Sequence, residues 1–218
     1  MASIINYDAL SQAKVSAPEL PYSTYSGVFN REIPASAFPS DHFEFHSQRK
    51  LLEALGKKGT PAWYQHNVRT RTLLELGQSE VFSPQTLDSI WLDVAQGLLS
   101  KEYRQSISEA AQFDVSKLEF QAHFWEFGQG SYFQPHVDKP HKKVTHLMYL
   151  TENWTPDVGG ELNILRSKSK DDVIKQIPPI NNNAVVLHRT DNAWHSVNLI
   201  PHESPVPRRL LQVWFWSK

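Results

Sequence analysis

The spacing of hydrophobic positions changes near the middle of the chain. Before residue 117 the ordered signals are helical. "DHFEFHSQRKLLEALGKKG" opens at a capping residue, runs through good helix formers and stops near Gly56 and Gly59, which predicts one helix. "SPQTLDSIWLDVAQGLLSKEY" predicts a second, with Ser83 as N-cap and Pro84 at the first helical position. Leu87, Ile90, Trp91, Val94 and Leu98 form its single apolar stripe, which needs a surface to lie on. Residues 1–40 carry Pro18, Pro21, Pro34 and Pro39 and predict an irregular arm, without helix or strand.

From Lys117 the period becomes two. "KLEFQAHFWEF", "VTHLMYL" and "GELNIL" alternate, "NAVVLH" is a short apolar run, and "RRLLQVWFW" reads as strand throughout. Gly and Pro clusters separate them, among them Gly128/Gly130, Pro140, Gly159-Gly160 and Pro178-Pro179. Short strands with such punctuation predict an antiparallel sandwich or barrel. The expected class is mainly β with supporting α-helices. Residues 1–116 would form the arm and helices and residues 117–218 the β core, as one integrated domain.

Composition narrows the chemistry. The 218 residues carry a formal net charge of -1, so neither nucleic acid nor an anionic membrane is an expected partner. The chain has 0 cysteines, which excludes disulfides, cysteine-ligated metal and a thiol nucleophile. No apolar run approaches a membrane span and "MASIINYDALSQAK" has no signal-like core, so a cytoplasmic protein is expected. Any metal must be held by His, Asp or Glu.

"YFQPHVDKPH" offers such a site. In an extended strand residues i and i+2 project to one side, so His136 and Asp138 can present an imidazole and a carboxylate together. His195 in "DNAWHSV" is the candidate third ligand, on a strand meeting the first across a barrel. Two imidazoles and one carboxylate cover one face of a six-coordinate Fe(II) and leave the rest open. His123, His141, His146, His188 and His202 compete for the role, and an isolated H-x-D is common. Only the surrounding sequence separates these options.

"HVDKPHKKVTHLMYLTENWTPDVGGELNIL", "NNNAVVLHRTDNAWHSVNLI" and "RRLLQVWFW" together resemble the Fe(II)- and 2-oxoglutarate-dependent oxygenases, in particular their prolyl-hydroxylase-like branch. The resemblance spans roughly residues 117–216 and implies a double-stranded β-helix, a cupin-like jelly-roll barrel. It implies Fe(II) on His136, Asp138 and His195, with 2-oxoglutarate and dioxygen as co-substrates. The reaction would hydroxylate an unactivated C–H bond and release succinate and CO2. Asp138 favours hydroxylation over halogenation, since similar halogenases carry a small residue there.

The far carboxylate of 2-oxoglutarate needs a buried cation, for which a bidentate guanidinium is suited. Arg208 and Arg209 open the last strand, and both of its faces are apolar, so alternation does not choose between them. The family's spacing to a strand tryptophan, here Trp214, points to Arg208. Leu210 replaces the Ser or Thr that often assists the arginine, and Tyr149 could supply that contact. Gln121, His123 and Trp125 lie on the more polar side of their strand and could line a substrate cavity, with Trp194 beside His195. Arg69 and Arg71 in "NVRTRT" are candidate carboxylate binders, and "DKPHKK" reads as a solvated loop or a lid. The expected substrate is a small molecule, an amino acid or biosynthetic intermediate. A prolyl or other protein residue is the alternative, and a non-catalytic jelly-roll metal-binding or sensing protein is a further one. A peptide enzyme predicts an open groove beside the iron; a small-molecule enzyme predicts a covered pocket.

Overall fold

Alternation in the second half becomes two antiparallel sheets, as seen in a computed structural model that describes residues 3–16 and 20–218. Pro18 of the arm lies outside the described residues. In chain order the elements are α1 (Tyr7–Ser11), β1 (Tyr22–Ser26), β2 (Glu44–Phe45), α2 (Ser47–Ala54), α3 (Pro61–Gln65), β3 (Val68–Leu74), α4 (Ser89–Leu98) and α5 (Lys101–Ala111). They continue with β4 (Glu119–Phe127), β5 (Phe133–His136), β6 (Lys142–Tyr149), β7 (Leu162–Leu165), β8 (Val173–Ile177), β9 (Asn183–His188), β10 (Trp194–Val197) and β11 (Arg208–Trp216). The larger sheet runs β1-β9-β6-β11-β4-β3-β2 and the smaller β5-β10-β7-β8, the two halves of a jelly roll.

Each face of the larger sheet is covered differently. Phe120, Ala122, Phe124, Leu211, Val213 and Phe215 face outward into a core shared with Trp91, Val94, Leu98, Tyr103 and Ile107 of α4 and α5. Trp125, Phe127, Leu147, Tyr149, Val185 and Leu210 face inward and pack with Leu162, Ile164, Ile177 and Val197 of the smaller sheet. Period two in the sequence is the cause, since neighbours on one strand must enter opposite cores. Burying each large outer side chain contributes about 1.5–3 kcal/mol, so the helices are held mainly by their stripe.

The first half departs from its expected outline. Ser83 adopts a left-handed φ of 46° with no capping bond, and Pro84–Thr86 form a single 3-10 turn. Helix α4 begins later, at Asp88, whose carboxylate accepts from the Ile90 amide at 2.9 Å. The run to Tyr103 is two helices because Ser100 starts a new one, accepting from the Tyr103 amide at 3.0 Å. Helix α2 is confined to Ser47–Ala54 because Glu44 and Phe45 pair with Thr70 and Arg69 instead. The arm is not structureless: Asn6 caps α1, and β1 zips onto β9 from Tyr22↔Leu187 to Ser26↔Asn183. "YSTYS" hides as a strand because only Ser23 within it is buried, so apolar alternation is absent.

Candidate metal centre and co-substrate cavity

His136 ends β5 and His195 lies in β10, and sheet pairing sets these two residues opposite each other. Their ring centroids are 4.3 Å apart. Asp138 follows β5 by two residues, and one ligand atom from each of the three side chains falls within 4.8 Å of the others. Among the described residues this is the one group of His and acidic side chains with such geometry.

Local hydrogen bonds orient the donors. His136 Nδ1 lies 2.8 Å from the Gln134 carbonyl and His195 Nδ1 lies 3.0 Å from the Ala193 carbonyl. A carbonyl only accepts, so each Nδ1 carries a hydrogen and Nε2 is the ring atom left for a metal. Burial, assisted by His136, pushes the His195 imidazole down to about 4 against the pull of Asp138, so it is neutral near pH 7. Burial opposes ionisation of Asp138, yet Lys142 and the two imidazoles outweigh it and hold its carboxyl below the usual range. Lys142 Nζ donates to Asp138 Oδ1 at 2.7 Å and Thr145 Oγ1 donates to Oδ2 at 3.0 Å. The set is two imidazole nitrogens and one fixed carboxylate, which suits a divalent first-row ion.

A cavity of about 630 Å³ opens from these three residues into the barrel, lined by Trp125, Phe127, Phe133, Arg208, Gln212 and Trp214 among others. Arg208 is 2 % exposed. Its guanidinium lies 4.7 Å from the Phe127 ring centroid and 5.2 Å from that of Tyr149. Burial pushes Arg208 below its ordinary value, and the Tyr149 hydroxyl up with a partial offset from Arg208. Arg208 Nε and the Tyr149 hydroxyl are buried without a hydrogen-bond partner among the described residues. A buried cation whose charged neighbour, Glu161, lies outside the cavity lining is costly, and an anion at this end of the cavity would relieve it.

Residues 120–216 match the 2OG-Fe(II) oxygenase superfamily. This part of the chain belongs to it. Enzymes of that superfamily use Fe(II), 2-oxoglutarate and dioxygen, and the His-Asp-His cluster here suits that requirement. Over 97 % of both chains, the fold is similar to a Pseudomonas putida prolyl-4-hydroxylase, at 20 % identity and a TM-score of 0.53. A prolyl 4-hydroxylase structure from Phytophthora capsici is similar over 100 % of this chain and 67 % of that one, at 15 % identity and a TM-score of 0.55. At these identities the likeness is one of fold. No curated protein matches the sequence.

The cavity sorts the other candidates. Arg209, adjacent to Arg208, turns to the opposite face, where its Nε donates to Glu126 at 2.9 Å and its guanidinium covers Phe38. Arg69 and Arg71 do not line the cavity, which corrects their reading as carboxylate binders. Arg69 is engaged by Glu126, and Arg71 by Asp41 and Thr86. Gln121 and Trp125 line the cavity. His123 lines an adjoining trough of about 360 Å³ that shares His46, Trp125 and Trp214 with it. Burial lowers His123 to about 4, and its Nδ1 contacts Thr72 Oγ1. Trp194 lines a separate void of about 20 Å³ against Asp138 and His195.

Sequence reasoning gave no individual role to Lys142, Thr145 or Gly160. Thr145 shares a face with Tyr149, a signal that was present in the alternation. Gly160 has φ +73°, and a Cβ there would stand 2.9 Å from Arg208 Cδ. The Gly-Gly turn thus makes room for the stem of the buried arginine.

Proposed function

We propose that the chain hydroxylates an unactivated C–H bond of a small molecule, with Fe(II) held by His136, Asp138 and His195. Arg208 and the Tyr149 hydroxyl receive the far carboxylate of 2-oxoglutarate. The observation that carries this reading is Arg208, a buried cation lining the cavity that begins at the three ligands, with the Tyr149 ring 5.2 Å from its guanidinium. When bound, iron and 2-oxoglutarate supply the oxidising power that turns C–H into C–OH with release of succinate and CO2. The protein's own residues position and shield. His136, His195 and the Asp138 carboxylate would hold the ion, while Thr145 keeps the carboxylate in place. Trp125, Phe127 and Phe133 keep the cavity wall apolar, which strengthens every charge contact inside. A cavity of about 630 Å³ is within the ordinary range for a small ligand.

Hydroxylation of a prolyl or other residue in a peptide is the second reading. The trough beside the cavity supports it, because it extends the binding surface past His46 and Trp214. So does the fold shared with the Pseudomonas putida prolyl-4-hydroxylase. Anaerobic titration with Fe(II) and then 2-oxoglutarate tests the site: a weak visible charge-transfer band is expected from the chelate. Asp138→Ala should lose both the band and succinate formation, and full activity in that variant would remove Asp138 from the site. Succinate release with panels of amino acids and of end-blocked peptides separates the two substrate readings.

A further inference from the structure

We infer that Lys142 is a specificity-determining residue that binds a carboxylate of the substrate, which makes the substrate a small aliphatic acid. The inference rests on the iron and 2-oxoglutarate assignments above.

Strand geometry provides the first observation. Thr145, Leu147 and Tyr149 share the inner face of β6, so plain alternation would turn residue 143 inward and residue 142 away. The ladder with β11 slips between Phe215 and Trp216: Phe215 pairs with Val144 and Trp216 with Lys142. One extra residue on β6 at that step is a β-bulge, and it returns Lys142 to the cavity side. The lysine therefore enters the barrel by a local departure from regular pairing.

Its surroundings provide the second. The Lys142 side chain is 12 % exposed, with Nζ 2.7 Å from Asp138 Oδ1 and 4.5 Å from the Trp214 ring centroid. An ammonium so far removed from water needs a counter-charge. Asp138 serves while no ion is bound, but an ion held by its carboxylate draws on the same charge. The charged residues lining the cavity are Asp138, Lys139, Lys142 and Arg208, and Lys139 is exposed. Glu161 acts on Arg208 and accepts from Asn198, outside the cavity lining, so Arg208 is not the group that offsets Asp138. An ion on Asp138 would leave Lys142 Nζ short of the one acceptor it has, and a substrate carboxylate would supply another.

The uncharged groups point the same way. Trp125 Nε1 and Trp214 Nε1 are buried without an acceptor among the described residues, while the Thr145 hydroxyl is given to Asp138. The wall offers hydrogens, which suits a carboxylate. A peptide with blocked ends would bring no such charge to this position.

The test uses the anaerobic Fe(II)–2-oxoglutarate complex, with acetate and acetamide as matched probes and the visible band as readout. Acetate should perturb the band saturably and acetamide should not. Lys142→Met should weaken acetate binding at least tenfold, and Lys142→Arg should keep it within a few-fold. Under air, L-proline and L-leucine should raise succinate formation more than L-prolinamide and L-leucinamide. Equal responses to acetate and acetamide, or unchanged acetate binding in Lys142→Met, would overturn the inference while leaving the iron site standing. Turnover of end-blocked peptides that does not depend on Lys142 would also overturn it. If the wild-type chain forms no band, the iron assignment fails and the inference goes with it. Should Lys142→Met itself lose the band by disturbing Asp138, the Arg variant and the acid–amide comparison decide.

Discussion

The two faces of the larger sheet are made by alternate residues of the same strands, and they treat buried polar groups in opposite ways. On the outer face His146 is fully buried between two tyrosines, with Tyr25 Oη at 2.7 Å from Nε2 and Tyr103 Oη at 2.9 Å from Nδ1. Arg209, Glu126 and Arg69 likewise form a closed ladder across β11, β4 and β3. On the inner face Arg208 Nε, Tyr149 Oη, Trp125 Nε1 and Trp214 Nε1 are left without partners. On the cavity side the incomplete groups mark where a ligand could enter, while Arg71 Nε, unpartnered on the outer face, shows that the division is not absolute. Arg208 and Arg209 are neighbours in sequence and illustrate the division in one step.

The contrast can be broken from either side. Phe215→Ala on the outer face should cost about 3–5 kcal/mol of stability, measured by urea unfolding, with the affinity for 2-oxoglutarate in the folded protein unchanged. A matching loss of co-substrate affinity would show that the faces are not independent. Arg208→Ala should raise the KM for 2-oxoglutarate about a hundredfold, as expected when one partner of a buried charge pair is removed. Arg209→Ala should change it only a few-fold, and the reverse ranking would exchange their roles. Gly160→Ala, which crowds the Arg208 stem, should weaken 2-oxoglutarate by about tenfold, and its strained positive φ should lower the unfolding midpoint as well.

A pH effect sharpens the outer face. Burial lowers His146 to about 3, so the folded state favours the neutral ring. The unfolded chain then takes up the proton first as pH falls. The contribution of His146 is fully present above its unfolded value near 6.5 and is lost as pH falls toward 3. In that window stability should fall by roughly 1 kcal/mol per pH unit for this group, and His146→Gln should flatten the slope of the urea midpoint against pH.

Much of the inner site was legible in the sequence because it is written in period two. "HVD", "AWHSV" and the alternation of "RRLLQVWFW" place their side chains by parity alone. Parity did not decide between Arg208 and Arg209, since both faces are apolar; pairing with β4 and β6 does. Lys142 was hidden because the bulge breaks parity at that point, and a lysine within "DKPHKK" resembles a solvated loop. β1 and β3 were hidden for a different reason. Their serines, threonines and arginines are satisfied by partners distant in the chain, such as Ser23 Oγ on the Ala110 carbonyl and Arg71 on Asp41. Ser83 misled because its cap role belongs to Asp88, a choice settled by local backbone geometry after Pro84.

Strand β5 is an edge of its sheet and is joined to β10 by only two registered pairs, His136↔His195 and Val197↔Phe133, with an irregularity between them. Such a short border would fray readily on its own. An ion gripped by both imidazoles would clasp that border shut from the side, so loading the metal and finishing the wall of the barrel become one event.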